Sequence, residues 1–118
     1  MKKEQTSANL LQQCVDLAIE KKARDMVSLN LQGLTLICDY FLIMTAGNIR
    51  QAQALSDHLE LSMKNIGNAP LRIEGYNDGR WILMDFGAVI VHIFQEEERS
   101  FYDLEHLWSD AEKQIYED

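Results

Sequence analysis

Residues 40–76 constrain the fold more than any other part of this chain. Tyr40-Phe41-Leu42-Ile43-Met44-Thr45-Ala46 is an almost unbroken apolar run, which fits a strand covered on both faces in the middle of a sheet. Gly47-Asn48 follows, and Asn48 can cap a helix while Gln51, three residues on, reaches back as in a capping box. Ile49, Ala52, Leu55, Leu59, Met63 and Ile66 then recur at spacings of three and four and predict that helix. Gly67 marks its end, because glycine tolerates the left-handed conformation that follows a helix. A strand, a helix and a further strand over Leu71 to Tyr76 imply a right-handed crossover, with the last strand parallel to the central one.

The flanks extend this unit. Leu10, Cys14, Leu17 and Ala18 predict an amphipathic helix capped by Thr6 or Ser7 and ending near Arg24. Asp25 to Leu31 alternates, with Val27, Leu29 and Leu31 on one side, and predicts a half-buried strand near a sheet edge. Asn77-Asp78-Gly79-Arg80 is a hairpin signal joining Leu71–Tyr76 to Trp81–Phe86, and Gly87-Ala88 offers a second turn into Val89–Phe94. The registers that follow place Tyr76 opposite Trp81, Glu74 opposite Leu83, Arg72 opposite Asp85, Asp85 opposite Ile90 and Leu83 opposite His92. Glu96-Glu97-Glu98 suits a helix start, with Phe101, Leu104, Leu107 and Trp108 as its core stripe or a dimer contact. Ser109 and Glu112 have the spacing of a capping box and predict a short last helix. The expected architecture is a single α/β domain over residues 1–118, a mixed sheet of about five strands with helices packed on it.

The hairpin registers sort the sheet into two unlike faces. Ile73, Ile82, Met84, Phe86, Val89, Val91 and Ile93 form one, wholly apolar, which has to lie under helices. Arg72, Glu74, Tyr76, Trp81, Leu83, Asp85, Ile90, His92 and Phe94 form the other. Its charges limit burial while its large apolar groups disfavour full exposure, a conflict that a covering helix or a partner protein resolves.

Composition narrows the function classes. Eleven Lys and Arg against nineteen Asp and Glu leave a net charge of −8, which repels phosphate backbones and makes a basic protein a better partner than DNA or RNA. Cys14 and Cys38 are too few for a disulfide framework or a zinc site and read as free buried thiols of a reducing compartment. The opening Met1-Lys2-Lys3-Glu4-Gln5-Thr6-Ser7 lacks the apolar core of an export signal, and the longest apolar run is far short of the roughly 20 residues that span a bilayer. A cytoplasmic protein without membrane contact is expected.

Catalytic patterns are weak. Thr45-Ala46-Gly47-Asn48 lacks the second glycine and the lysine of a phosphate-binding loop, so a plain helix cap accounts for it. His58, His92 and His106 form no metal-ligand spacing, and no cofactor or metal is expected. His58 and His106 read as solvated. His92 and Asp85 could be diagonal neighbours and a proton-transfer pair, but no nucleophile or oxyanion donor joins them, and a polar contact or docking surface is the better reading.

An ordered set of segments resembles the ribosomal silencing factor family, also called the Iojap family. These are Cys38 through Asn48 with Arg50-Gln51, Glu74-Gly75, Arg80 through Gly87, Val89-Ile90-Val91-His92-Ile93-Phe94, and Glu97, Arg99, Tyr102, Leu104-Glu105 and Leu107-Trp108. The resemblance implies a nucleotidyltransferase-like fold without catalytic residues. It also implies binding to a large-subunit ribosomal protein, number fourteen, that blocks subunit joining when nutrients are scarce, and a homodimer in the free protein. Asn48-Ile49 and Ala88 depart from the family pattern at the helix start and the second turn. On this reading the partner-binding residues are Glu74, Tyr76, Arg80, Trp81, Leu83, Asp85 and His92, with Trp81 as aromatic anchor and Glu74 and Asp85 as charge partners for basic residues. The alternative is a diverged nucleotidyltransferase-like enzyme using Asp39, Asp85 and Glu74.

Overall fold

A computed structural model describes residues 6–117; Met1 to Gln5, read above for an export signal, lie outside the described residues. In chain order the elements are α1 (Ser7–Glu20), β1 (Arg24–Asn30), β2 (Tyr40–Thr45), α2 (Ile49–Asn65), β3 (Arg72–Glu74), β4 (Trp81–Asp85), β5 (Val89–Phe94), α3 (Glu96–Tyr102), α4 (Leu104–Leu107) and β6 (Glu112–Tyr116).

Local signals explain both long helices. Thr6 caps α1 by accepting from the Asn9 N–H at 3.0 Å, and Asn48 Oδ1 accepts from the Gln51 N–H at 2.8 Å. Gln51 Oε1 reaches back past the cap to the Gly47 N–H at 2.6 Å, so the exchange resembles a capping box, satisfying one orphan donor of α2 and fixing the residue that leads into it. The buried stripe of α2 is Ala52, Leu55, Leu59 and Met63, whereas Ile49 and Ile66 at its ends are exposed. The first helix stops four residues earlier than its periodicity predicts. Lys22 takes a left-handed conformation (φ 60), and the Ala23 N–H closes onto the Ala18 carbonyl, so that the chain enters β1 at Arg24.

The sheet has six strands in the order β3-β4-β5-β2-β1-β6. The sixth lies where the capping spacing of Ser109 and Glu112 predicts a helix. Residues 112–116 instead pair antiparallel with β1, from Met26↔Tyr116 to Asn30↔Glu112, and Tyr116 Oη lies 3.0 Å from Ser28 Oγ. An open strand edge offers this segment a full row of backbone partners, more than one local cap can supply. β3 runs in the direction of β2, as the crossover requires, but is not its neighbour. Two hairpins turn the chain back so that β5 is the strand parallel to β2, in register from Tyr40↔Val89 to Thr45↔Phe94.

The hairpin registers Glu74↔Leu83, Arg72↔Asp85, Asp85↔Ile90 and Leu83↔His92 are as expected. Tyr76 does not oppose Trp81. Gly75 has φ 79, and a Cβ there would lie 2.2 Å from the Trp81 carbonyl oxygen, so the strand ends at Glu74 and the chain swings toward α2. Tyr76 donates from Oη to Asp57 Oδ2 at 3.1 Å, and its carbonyl accepts from Gln53 Nε2 at 2.9 Å. Gly75→Ala should therefore cost about 2 kcal/mol, from the left-handed penalty and the crowding of Trp81. Urea unfolding checks this, and an unchanged midpoint refutes the crowding.

Two cores sandwich the sheet. On one side α1 and α2 cover Leu42, Met44, Ile82, Met84, Val91 and Ile93. On the other, Val27, Leu29, Leu31, Ile43, Ile90 and Phe94 are covered by Phe41, Trp81, Leu83, Leu104 and Trp108. The stripe predicted for the late helix is split. Asp103 (φ 47) separates α3 from α4, which turns Leu104 and Trp108 inward and leaves Phe101 79% and Leu107 70% exposed.

Candidate docking face

Alternation along β4 builds the mixed face. Ile82 and Met84 are fully buried under the helices, while Trp81, Leu83 and Asp85 point the other way and are half-buried. Neighbouring β3 adds Arg72 and Glu74, both exposed. Arg72 pairs with Glu74 through Nη1 at 3.0 Å and with Asp85 through Nε at 3.2 Å, and Asp85 Oδ1 also accepts from the Gly87 N–H at 2.8 Å. Two of the carboxylates of the enzyme alternative are thus engaged with one arginine. The pairs are solvent-exposed at Arg72, and exposed pairs contribute little to stability, which leaves them free to exchange partners.

An aromatic cluster fills the centre. The Trp81 ring stacks on Phe94 at 5.0 Å and lies 4.6 Å from Tyr102. Trp81 Nε1 donates to His92 Nδ1 at 3.1 Å, and the His92 ring meets Phe41 edge to face at 4.4 Å. His92 is 3% exposed, and burial pushes its pKa down to about 4, because a buried imidazole loses the hydration that stabilises its charged form. Phe101 contacts Tyr102 at 5.1 Å, so exposed aromatic surface continues from Trp81 onto α3. Sequence periodicity gives Phe101 as part of a core stripe or a dimer contact; the break at Asp103 leaves it 79% exposed at this rim.

Arg99 locks α3 and α4 against the sheet. Its Nε donates to Glu105 Oε1 at 3.0 Å, and its Nη1 donates to Thr45 Oγ1 at 2.8 Å and to the carbonyl of Asp25. Asp25 is itself left-handed (φ 50), beside the irregularity in β1 between Arg24 and Val27. Burial works to raise the Glu105 pKa, but the Arg99 hydrogen bond and charge, with Lys113 at 3.4 Å, outweigh it and hold the carboxyl below its ordinary value. Arg99 and Glu105 belong to the segments that carry the family resemblance, and no local spacing signals their contact.

The structure thus brings together Glu74, Trp81, Leu83 and Asp85 on one face, with His92 directly beneath Trp81. It moves two of the expected residues elsewhere. Tyr76 lies on the helix side, for the reason given at Gly75. Arg80 stands at the end of the sheet, 4.0 Å from Asp78, in an open crevice of about 450 Å³ shared with Arg24, Gly47, Gln95 and the start of α3. His92 and Asp85 form no pair, since the imidazole turns to the indole. His58 is not simply solvated but meets Glu20 at 3.0 Å, tying α2 to α1. Cys14 and Cys38 are free and buried, and burial pushes their thiols up to about 12 and about 11. Among the described residues no three His, Cys, Asp or Glu side chains group as metal ligands, and no helix is long and apolar enough to cross a membrane.

Together the elements define a small mixed-sheet α/β domain, closed by two long helices on one side and by an aromatic cluster on the other. The family described as "Ribosomal silencing factor during starvation" matches residues 4–118. The chain belongs to this ribosomal silencing factor family. It is 42% identical over 106 residues to the protein named "Ribosomal silencing factor RsfS" of Halalkalibacterium halodurans, covering 90% of this chain and 91% of that one. Its identity to the protein of the same name from Bacillus subtilis is 39% over 92 residues, 78% of each chain. A crystal structure from Bacillus halodurans superposes with a TM-score of 0.79 at 38% identity, covering 94% of this chain and 99% of that one. The mixed α/β fold is common to both, and the relatives' names are those of a translation regulator.

Proposed function

We propose that this protein represses translation in the cytoplasm by docking on the large ribosomal subunit, through ribosomal protein number fourteen, and sterically excluding the small subunit when nutrients are limited. The contact is made by Trp81, Leu83, Glu74 and Asp85, with Phe101 and Tyr102 at the rim; Arg80 extends it toward the end of the sheet. The observation that carries the reading is the half-exposed Trp81 at the centre of an apolar face with acidic residues at its edge. Large aromatic groups flanked by charge are where binding energy concentrates in protein interfaces. A net charge of −8 steers such a protein toward a basic ribosomal protein and away from RNA phosphates and DNA. In the free state the same apolar surface supports a homodimer.

Co-sedimentation with isolated ribosomal subunits tests the proposal. The expected result is selective binding to large subunits with loss of reassociation to whole ribosomes; absence of large-subunit binding at moderate salt overturns it. Trp81→Ala should weaken binding by about 2 kcal/mol, roughly thirtyfold, while circular dichroism confirms that the variant is folded. Undiminished binding by that variant removes Trp81 from the contact.

A further inference from the structure

Trp81 carries a single hydrogen-bond donor, and that donor is committed inside the protein. Its Nε1–H reaches His92 Nδ1 at 3.1 Å. An imidazole that accepts at Nδ1 is the neutral tautomer protonated at Nε2, yet Nε2 is buried with no hydrogen-bond partner among the described residues. Leaving one buried N–H unmatched is unfavourable, and an apolar ring at this position would avoid it. What the imidazole supplies in exchange is a fixed acceptor. Trp81 stacks on Phe94 and is bounded on its outer side by Tyr102, itself 47% exposed, so packing on the solvent side is incomplete and the hydrogen bond completes the restraint on the indole.

We propose that His92 is a positioning residue for the docking contact, holding the Trp81 indole so that it presents only carbon, and that the partner surface opposite Trp81 is apolar. A partner carbonyl or carboxylate aimed at Nε1 would be desolvated against a donor already in use, and is selected against. The partner half of this inference rests on the docking reading above; the hydrogen bond stands without it. His92 acts through Trp81 and does not itself reach the surface.

A double-substitution cycle, read as affinity for isolated large subunits, tests the coupling. His92→Phe removes the acceptor while keeping a ring in the core. It should weaken binding about fivefold in the otherwise unsubstituted chain, as expected for loss of one hydrogen bond that orders a contact. In a Trp81→Phe background, where no indole N–H remains to be held, the same substitution should have less than about a twofold effect. His92→Asn, with an acceptor oxygen near the Nδ1 position, should recover part of the loss. Equal losses in both backgrounds reduce His92 to a core residue and overturn the proposal while leaving the docking face intact. Proton exchange at the Trp81 indole, followed by ¹⁵N NMR on the unsubstituted protein, requires neither a folded variant nor a ribosome. Slow exchange supports the bond, and exchange as fast as free indole overturns it. If Trp81→Ala binds as well as the unsubstituted chain, the docking reading fails and the partner half fails with it.

Discussion

Arg99→Ala should lower the unfolding free energy by about 3 kcal/mol. Three groups each lose a partner at once: the Glu105 carboxylate, the Thr45 hydroxyl and the Asp25 carbonyl. Breaking a buried ion pair from one side costs about 3–5 kcal/mol because the remaining charge stays desolvated. The lower end applies here, since the Arg99 and Glu105 side chains are 14% and 24% exposed and Glu105 keeps Lys113 at 3.4 Å. For a chain of this size the loss corresponds to a drop of roughly 10 °C in Tm. Because α3, α4 and the cap that follows α4 carry Tyr102, Leu104 and Trp108, the variant should also loosen the cover over Phe94 and Trp81, visible as increased quenching of tryptophan fluorescence. Glu105→Gln in the Arg99→Ala background should cost little more than Arg99→Ala alone. A Tm change below about 2 °C for Arg99→Ala would falsify the clamp.

Acidification should destabilise the fold through His92 before carboxylate protonation takes over. An imidazole ordinarily titrates near 6.5, and burial pushes His92 down to about 4. Between these values the unfolded chain binds a proton that the folded chain excludes, so stability falls as pH falls through this window and is fully present above it. The integrated loss is about 3 kcal/mol at pH 4 relative to pH 7.5. Structure supplies a second reason: a proton on Nδ1 would set two donors, imidazolium and indole, against each other across 3.1 Å. Urea midpoints measured from pH 7.5 to 4 should therefore slope for the unsubstituted protein and be flatter for His92→Phe. Parallel slopes place the acid sensitivity on other groups.

Much of the fold was legible because it is written in short periods. The apolar run of β2, the Asn48–Gln51 cap and the α2 stripe depend on neighbours within four residues. The two hairpins depend on turns a few residues long, which is why Leu83↔His92 and Arg72↔Asp85 follow from counting. The mixed face that carries Trp81, Leu83, Asp85 and Glu74 is a consequence of those registers. Tyr76 escaped the same arithmetic because one glycine, held left-handed against the Trp81 carbonyl, ended the strand two residues early.

What the tertiary structure decided lies at long sequence separation. Arg99 meets Thr45 and Asp25 across 54 and 74 residues, and Ser28 meets Tyr116 across 88. The sixth strand, the pairing of β5 with β2 and the inward turn of Leu104 and Trp108 all depend on which open edge or apolar face the chain meets after folding back. The sequence by itself determined the two long helices, the strands β1 to β5 and the family to which the chain belongs, but not the sixth strand or the break between α3 and α4. Only the folded structure decided which sheet face closes on itself and that Trp81 is held by His92, because local periods set where a side chain points while contacts between distant segments set what it touches.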